Sequence, residues 1–357
     1  MSSLYEPLSR EQVAAVVEGS GDSRPPAYMH KWPGEGLREY HGAEAVQEVF
    51  APYPDDVVAG NVIQPGGWEA PEGFAENYRW AWKDKSEGEG GEKHGHDSGG
   101  RILEDMDELD AFLDDFPRAD NPAVFEPVRE AVERSNGQYV IGWAWNNFYE
   151  RLWGIRGMQY ILMDFHINPE KTKRLCEALL DLVLKFVEGV AEAGADGFAT
   201  SNDLGHQTGL MMSPEKFREF LKPLHVEVAR ACHEHGLHYW MHSCGNLTDV
   251  VEDMIELELD CLHPLQYGAM DWCETAELID GRMTAWPGID VQHILQEEDP
   301  EGVREHVRDL IDTFYIPGRG RCVVAAGNGI TGSTPLENID AFLDETFRYG
   351  LEITHKG

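Results

Sequence analysis

The chain has 357 residues, 65 of them acidic against 29 basic, giving a net charge of −36 with 42% hydrophobic residues. That apolar content supplies a large core, and because Asp and Glu are interleaved with periodic apolar positions, a disordered acidic tail is excluded as the source of the charge. No cluster of Lys and Arg could neutralise successive phosphates, which excludes nucleic-acid binding through a basic surface.

So acidic a chain repels itself in dilute salt. A Debye length of roughly 3 Å at 1 M salt would screen that repulsion, so the composition points to a halophilic protein in a high-salt cytoplasm, with a merely acidic mesophilic enzyme as the alternative. The first ten residues lack the basic-then-apolar run of a secretory signal. No run of about 18 apolar residues is present to span a membrane. The cysteines (Cys176, Cys232, Cys244, Cys261, Cys273, Cys322) are scattered, which reads as reduced thiols in a cytoplasmic protein.

In chain order, residues 1–135 read as irregular and rich in Pro, Gly and Trp, apart from an early strand near 26–29. Residues 83–100 form a low-complexity acidic loop carrying His94 and His96, read as solvated and flexible. From Gln138 onward, short β-branched or aromatic runs at 138–143, 197–200, 237–242, 260–265, 283–287 and 322–326 read as strands. Between them lie helices with readable ends. One starts at Asn168-Pro169 and stops at Gly194, the next starts at Ser213-Pro214 and stops at Gly236, and others cover 248–258, 300–314 and 335–348. Seven or eight βα units favour a single α/β domain over 1–357, a (β/α)₈ TIM-type barrel. No Gly-x-Gly-x-x-Gly follows a strand, which argues against a dinucleotide-binding sheet.

In such a barrel, chemistry sits at the carboxyl ends of the strands. The strand at 197–200 runs into Asp203, a candidate acid/base or ligand-orienting carboxylate or else a turn cap, followed by His206. The strand at 237–242 ends in His242-Ser243-Cys244-Gly245. Side chains two apart on a strand share a face, so His242 and Cys244 point together toward the barrel mouth, a pair suited to zinc. Cys261 and His263 repeat the spacing on the next strand, so four ligands could converge, although a buried structural Cys beside a satisfied His is the ordinary alternative. The last strand runs into Gly327-Asn328-Gly329, where backbone can approach a ligand closely. Trp143, Trp145, Phe148, Tyr149 and Trp153 either line an apolar pocket or form core.

These residues together resemble the uroporphyrinogen decarboxylase superfamily, which includes zinc-dependent methyltransferases that pass a methyl group from a corrinoid protein to coenzyme M or another acceptor. The resemblance is carried by Arg24-Pro25-Pro26, by Tyr149-Glu150-Arg151-Leu152-Trp153-Gly154-Ile155-Arg156-Gly157 with Leu162-Met163-Asp164, and by Gly194-Ala195-Asp196-Gly197 and Asp203-Leu204-Gly205. It continues through Met212-Ser213-Pro214-Glu215-Lys216-Phe217, Lys222-Pro223, His242-Ser243-Cys244-Gly245, Pro264-Leu265-Gln266, Gly288-Ile289-Asp290 and Pro335-Leu336-Glu337-Asn338-Ile339. It implies a single distorted (β/α)₈ barrel. The decarboxylase branch has two carboxylate-gripping arginines after the first strand; here His30 and Lys31 stand at the first, nothing matches the second, and Asp55-Asp56 does not reproduce that branch's aspartate motif. In the methyltransferase branch the zinc ligands are a His and a Cys two apart, matched by His242 and Cys244, and a later Cys that falls on Asn328. The third ligand is then to be sought among Cys322, Cys261, His263 and Asp203.

The resemblance thus implies a methyltransferase using zinc, transferring methyl from a corrinoid carried by a partner protein, or another donor, to a thiol-type small molecule. The alternatives are a uroporphyrinogen decarboxylase of porphyrin biosynthesis and a non-catalytic binding barrel. The expected catalytic residues are Asp203 and His242, the substrate-binding residues His30, Lys31, His206, Trp143 and Asn328, and the metal ligands His242, Cys244, Cys261 and His263. Dimeric decarboxylase relatives imply a homodimer.

Overall fold

The computed structural model describes residues 5–34, 36–82 and 102–354. The acidic loop expected at 83–100, with His94 and His96, lies outside the described residues. Six strands, β1 (Val57–Asn61), β2 (Tyr139–Ala144), β3 (Gly197–Ser201), β4 (His238–His242), β5 (Cys261–His263) and β6 (Thr284–Ala285), lie side by side in chain order and all parallel. Hydrogen bonds carry the series onward. The N–H of Val323 donates to the Ala285 carbonyl, that of Val324 to Pro26, that of Tyr28 to Val324, and that of Asp56 to Ala27. Residues 322–326 and 26–28 therefore follow β6 and lead back to the residue before β1, the α/β arrangement of TIM-barrel proteins.

The strand positions expected from residue 138 onward agree with β2 to β6 to within a few residues. The early segment is reduced to a bridge between Ala27 and Val324, and 322–326 to a short strand at Ala325–Ala326 pairing Gly288–Ile289. The irregular reading of residues 1–135 is corrected. That region supplies β1 and the helices Arg10–Glu18, Ala43–Phe50, Leu109–Asp114 and Glu126–Arg134. Arg10–Glu18 begins at a Ser9–Gln12 capping box, in which Ser9 Oγ accepts the Gln12 N–H and Gln12 Oε1 accepts the Ser9 N–H.

Alternate residues of each strand enter two separate cores. Val57, Ile141, Trp143, Ala199, Trp240, Cys261, Trp286 and Val323 form one cluster, while Val140, Phe198, Tyr239, Met241, Leu262 and Val324 join the other with the surrounding helices. Burial on both faces explains why the strands read as continuous apolar runs. Leu8, Val13 and Val17 join the first cluster, so the helix Arg10–Glu18 packs against it. Trp143, Trp240 and Trp286 are fully or almost fully buried there, each contributing about 1.5–3 kcal/mol of apolar burial.

Two motif stretches serve this frame. Arg24 grips Asp56 with two hydrogen bonds of 2.7 and 2.8 Å, and Asp56 also accepts the N–H groups of Leu8 and Ala27, all in the interior. Arg156 pairs with Asp164 at 2.7 Å and donates to the Glu104 carbonyl at 2.8 Å.

Candidate functional site

Period-two geometry on β4 sends Trp240 and His242 to the same face, His242 one layer nearer the strand's carboxyl end. Register pairs Trp240 with Cys261, His242 with His263, and Ser201 with His242. His263 therefore sits level with His242, whereas Cys261 lies a layer below, buried among the tryptophans. Cys322 is buried as well. Neither joins the cluster.

Asp203, His242 and Cys244 do converge. Their ligand atoms all lie within 4.8 Å of one another. Cys244 Sγ is 3.3 Å from His242 Nε2, and Asp203 Oδ1 is 3.5 Å from the same nitrogen. Asp203 also accepts the Cys244 N–H at 2.9 Å, and Asn328 Nδ2 donates to the sulfur at 3.4 Å. Gly245 makes this turn feasible, with φ of 90° and backbone so close to Gly205 that a Cβ would stand 2.3 Å from its carbonyl carbon.

His263 takes a place in this site other than the expected one of a ligand, because both its nitrogens are engaged. Its Nε2 lies 3.0 Å from the Ala326 carbonyl and its Nδ1 lies 2.6 Å from His242 Nδ1. Burial lowers the pKa of both rings, against the Asp203 charge in the case of His242, and the neighbouring ring lowers that of His263 further, which favours the neutral form of each. A carbonyl only accepts, so the His263 proton is on Nε2 and its Nδ1 carries a lone pair. That lone pair accepts the His242 Nδ1–H. His242 is left with a bare Nε2 facing Cys244 and Asp203. Three electron-rich atoms thus meet, nitrogen, sulfur and oxygen from three residues, a set that could hold a metal ion. Burial, then the Asp203 charge, push the Cys244 thiol well above its usual range; a coordinated cation reverses that balance.

Glu150, on the helix Tyr149–Arg156 after β2, accepts a 2.6 Å bond from Ser201 Oγ. Burial and then the Asp203 charge raise its carboxyl to about 7. Trp32 and Trp145 stand 6.1 and 6.4 Å from the His242 ring, edge-on, and Trp145 stacks on Trp143 at 4.0 Å. Trp143 itself is buried and donates to the Tyr28 hydroxyl. Glu150 and Trp32 escaped the residue-level reading, and only the motif at 149–157 touched the first.

The remaining expected substrate residues are placed variously. Asn328 adjoins the sulfur, and His206 is exposed on a two-residue hairpin. His30 is buried with Nδ1 3.0 Å from Asp55, while Lys31 pairs with Asp55 at 3.2 Å and donates to the Tyr53 carbonyl. Among the described residues no helix is long and apolar enough to cross a membrane.

Residues 105–349 match the family model for uroporphyrinogen decarboxylase. A methyltransferase from Methanosarcina mazei shares the fold with a TM-score of 0.65 at 16% identity, over 98% of this chain and 99% of that one. Weaker likenesses are a B12-independent methionine synthase from Shewanella sp. W3-18-1 in complex with selenomethionine (TM-score 0.44, 12% identity, 65% and 67% covered) and the catalytic domain of a Bacillus sp. JAMB-750 endo-β-1,4-mannanase (0.47, 12%, 98% and 92%). No curated protein sequence matches.

Proposed function

Because the chain belongs to the uroporphyrinogen decarboxylase family, we propose that it is a zinc-dependent methyltransferase that passes a methyl group from a corrinoid on a partner protein to a small thiol. The observation that carries this reading is the convergence of His242 Nε2 with Cys244 Sγ and Asp203 Oδ1. Those three residues would hold the metal and leave one position for the acceptor, as catalytic zinc sites do. When bound, zinc supplies the Lewis acidity that keeps an acceptor thiol ionised at neutral pH.

The chain's own residues supply the rest. His263 orients His242, Asn328 steadies the Cys244 sulfur, and Trp32 and Trp145 wall the imidazole. Glu150, poised near neutrality, is the base in this reading and takes the thiol proton. Decarboxylation of a tetrapyrrole draws less support, since His30 is buried and Lys31 is occupied by Asp55 and Tyr53.

Metal analysis of untagged protein, paired with loss of methylcobalamin absorbance in the presence of thiol, tests the proposal. Stoichiometric zinc, removed by the double substitution His242→Ala and Cys244→Ala together with the transfer, is the expected result. Zinc-free protein without transfer overturns it, and CO₂ release from uroporphyrinogen would then restore the decarboxylase reading.

A further inference from the structure

A cavity of about 170 Å³ opens beside the candidate centre, and Asn328, whose amide nitrogen lies 3.4 Å from Cys244 Sγ, is one of its walls. Gln266, another wall, accepts the Gly245 N–H at 2.8 Å through Oε1. The cavity is therefore fixed to the turn that carries the sulfur by side chains from two other strand ends. Its volume is that of roughly six waters, enough for a small acceptor.

Its lining has a definite charge character. Among the described residues no Lys or Arg lines it, and His293 is engaged with Glu297 at 3.6 Å. Asp290 contributes a carboxylate held in place from one side only. Its Oδ1 accepts the N–H groups of Gln292 and His293 at 2.6 and 2.9 Å, and among the described residues Oδ2 accepts none. The Tyr267 ring stands at the same cavity, 40% exposed, and Gln207 and Gln292 add neutral amides. A carboxylate oxygen beside an aromatic ring attracts an ammonium group and repels an anion.

We infer that this cavity receives the positively charged end of the methyl acceptor, so that the acceptor is an aminothiol and not a thiol bearing a sulfonate or carboxylate alone. The inference rests on the methyltransferase reading for the thiol and on the cavity by itself for the ammonium group.

Cysteamine, 2-mercaptoethanol and 2-mercaptoethanesulfonate share a two-carbon thiol and differ in the charge of the other end. Calorimetric titration of each into the full-length protein should rank cysteamine tightest and the sulfonate weakest, with about a tenfold step from cysteamine to the neutral thiol. Asp290→Asn keeps the Oδ1 acceptor for Gln292 and His293 and should erase that step. Gln207→Lys should raise sulfonate affinity, a gain that a misfolded variant could not show. Tightest binding of the sulfonate, no binding by any of the three, or an unchanged ranking in Asp290→Asn overturns the inference. An increase, on adding cysteamine, in the sulfur-to-cobalt absorption band of cobalt-loaded protein over the band that Cys244 itself contributes reads thiol coordination separately. Its absence alongside an Asp290-dependent ranking would sink the metal–thiol reading and leave the ammonium site standing.

Discussion

His242 and His263 meet nitrogen to nitrogen, Nδ1 against Nδ1 at 2.6 Å, beneath the turn that carries Cys244. The contact works because the Ala326 carbonyl, 3.0 Å from His263 Nε2, decides where the protons sit. A backbone acceptor on the short strand Ala325–Ala326 thus leaves His242 Nε2 without a proton toward Asp203 and Cys244. Partners of this kind hold the tautomer and orientation of a ligating imidazole.

If His263 acts through His242, its loss should weaken the metal without removing a ligand. His263→Leu is expected to lower zinc affinity 10- to 100-fold, measured by competition with a chromophoric chelator. His263→Gln, which keeps an acceptor for the His242 Nδ1–H, should recover much of that loss. Equal affinity in wild type and His263→Leu would show that the relay does not govern the site.

Arg24 and Asp56 make a different kind of prediction. Asp56 is wholly buried and accepts four hydrogen bonds, two from Arg24 and one each from the Leu8 and Ala27 backbones. Asp56→Ala strands both N–H groups in the interior and leaves the guanidinium charge unpaired, with only the Pro25 and Glu6 carbonyls to accept from it. The expected cost is about 3–5 kcal/mol, read from the urea midpoint. A cost below 1 kcal/mol would mean that the junction between residues 26–28 and β1 does not need this pin.

How far the sequence reveals these features depends on whether a contact is local. Strands from residue 138 onward were legible because burial on both faces leaves unbroken apolar runs at regular spacing. The strand Val57–Asn61 was not, since two valines before Ala59 and Gly60 look like loop. His242 and Cys244 were legible from their spacing of two at a strand end. Cys261 looked equivalent, but only the pairing of Trp240 with Cys261 shows that it stands a layer too low. Glu150 was hidden because its partner Ser201 lies 51 residues away, on the next strand.

Burial of His225 gives a pH dependence of known sign. Its Nδ1 pairs with the Tyr239 hydroxyl at 2.8 Å, Nε2 has no partner among the described residues, and burial lowers its pKa from 6.5 to about 3. Between those values the unfolded chain holds a proton that the folded chain refuses, so stability rises with pH and falls as pH drops below 6.5. The contribution approaches about 1.4 kcal/mol per pH unit. His225→Gln should flatten the stability profile between pH 6.5 and 4 relative to wild type; parallel profiles would show that the folded ring protonates freely.

Salt sets two electrostatic effects against each other. Exposed pairs such as Arg230 with Glu227 and Glu234, and Arg282 with Glu252, weaken as ions screen them, but each is worth only about 0.2–1 kcal/mol. The net charge of −36 acts in the other direction, because its self-repulsion is relieved as the Debye length falls from about 10 Å at 0.1 M to about 3 Å at 1 M. With 65 acidic side chains and 29 basic ones, many carboxylates must lack a cationic partner, so relief of repulsion should win. The melting temperature is therefore expected to climb between 0.1 and 2 M KCl, and to climb similarly in NaCl if screening is the cause. A flat or falling curve would leave the mesophilic reading of the composition in place.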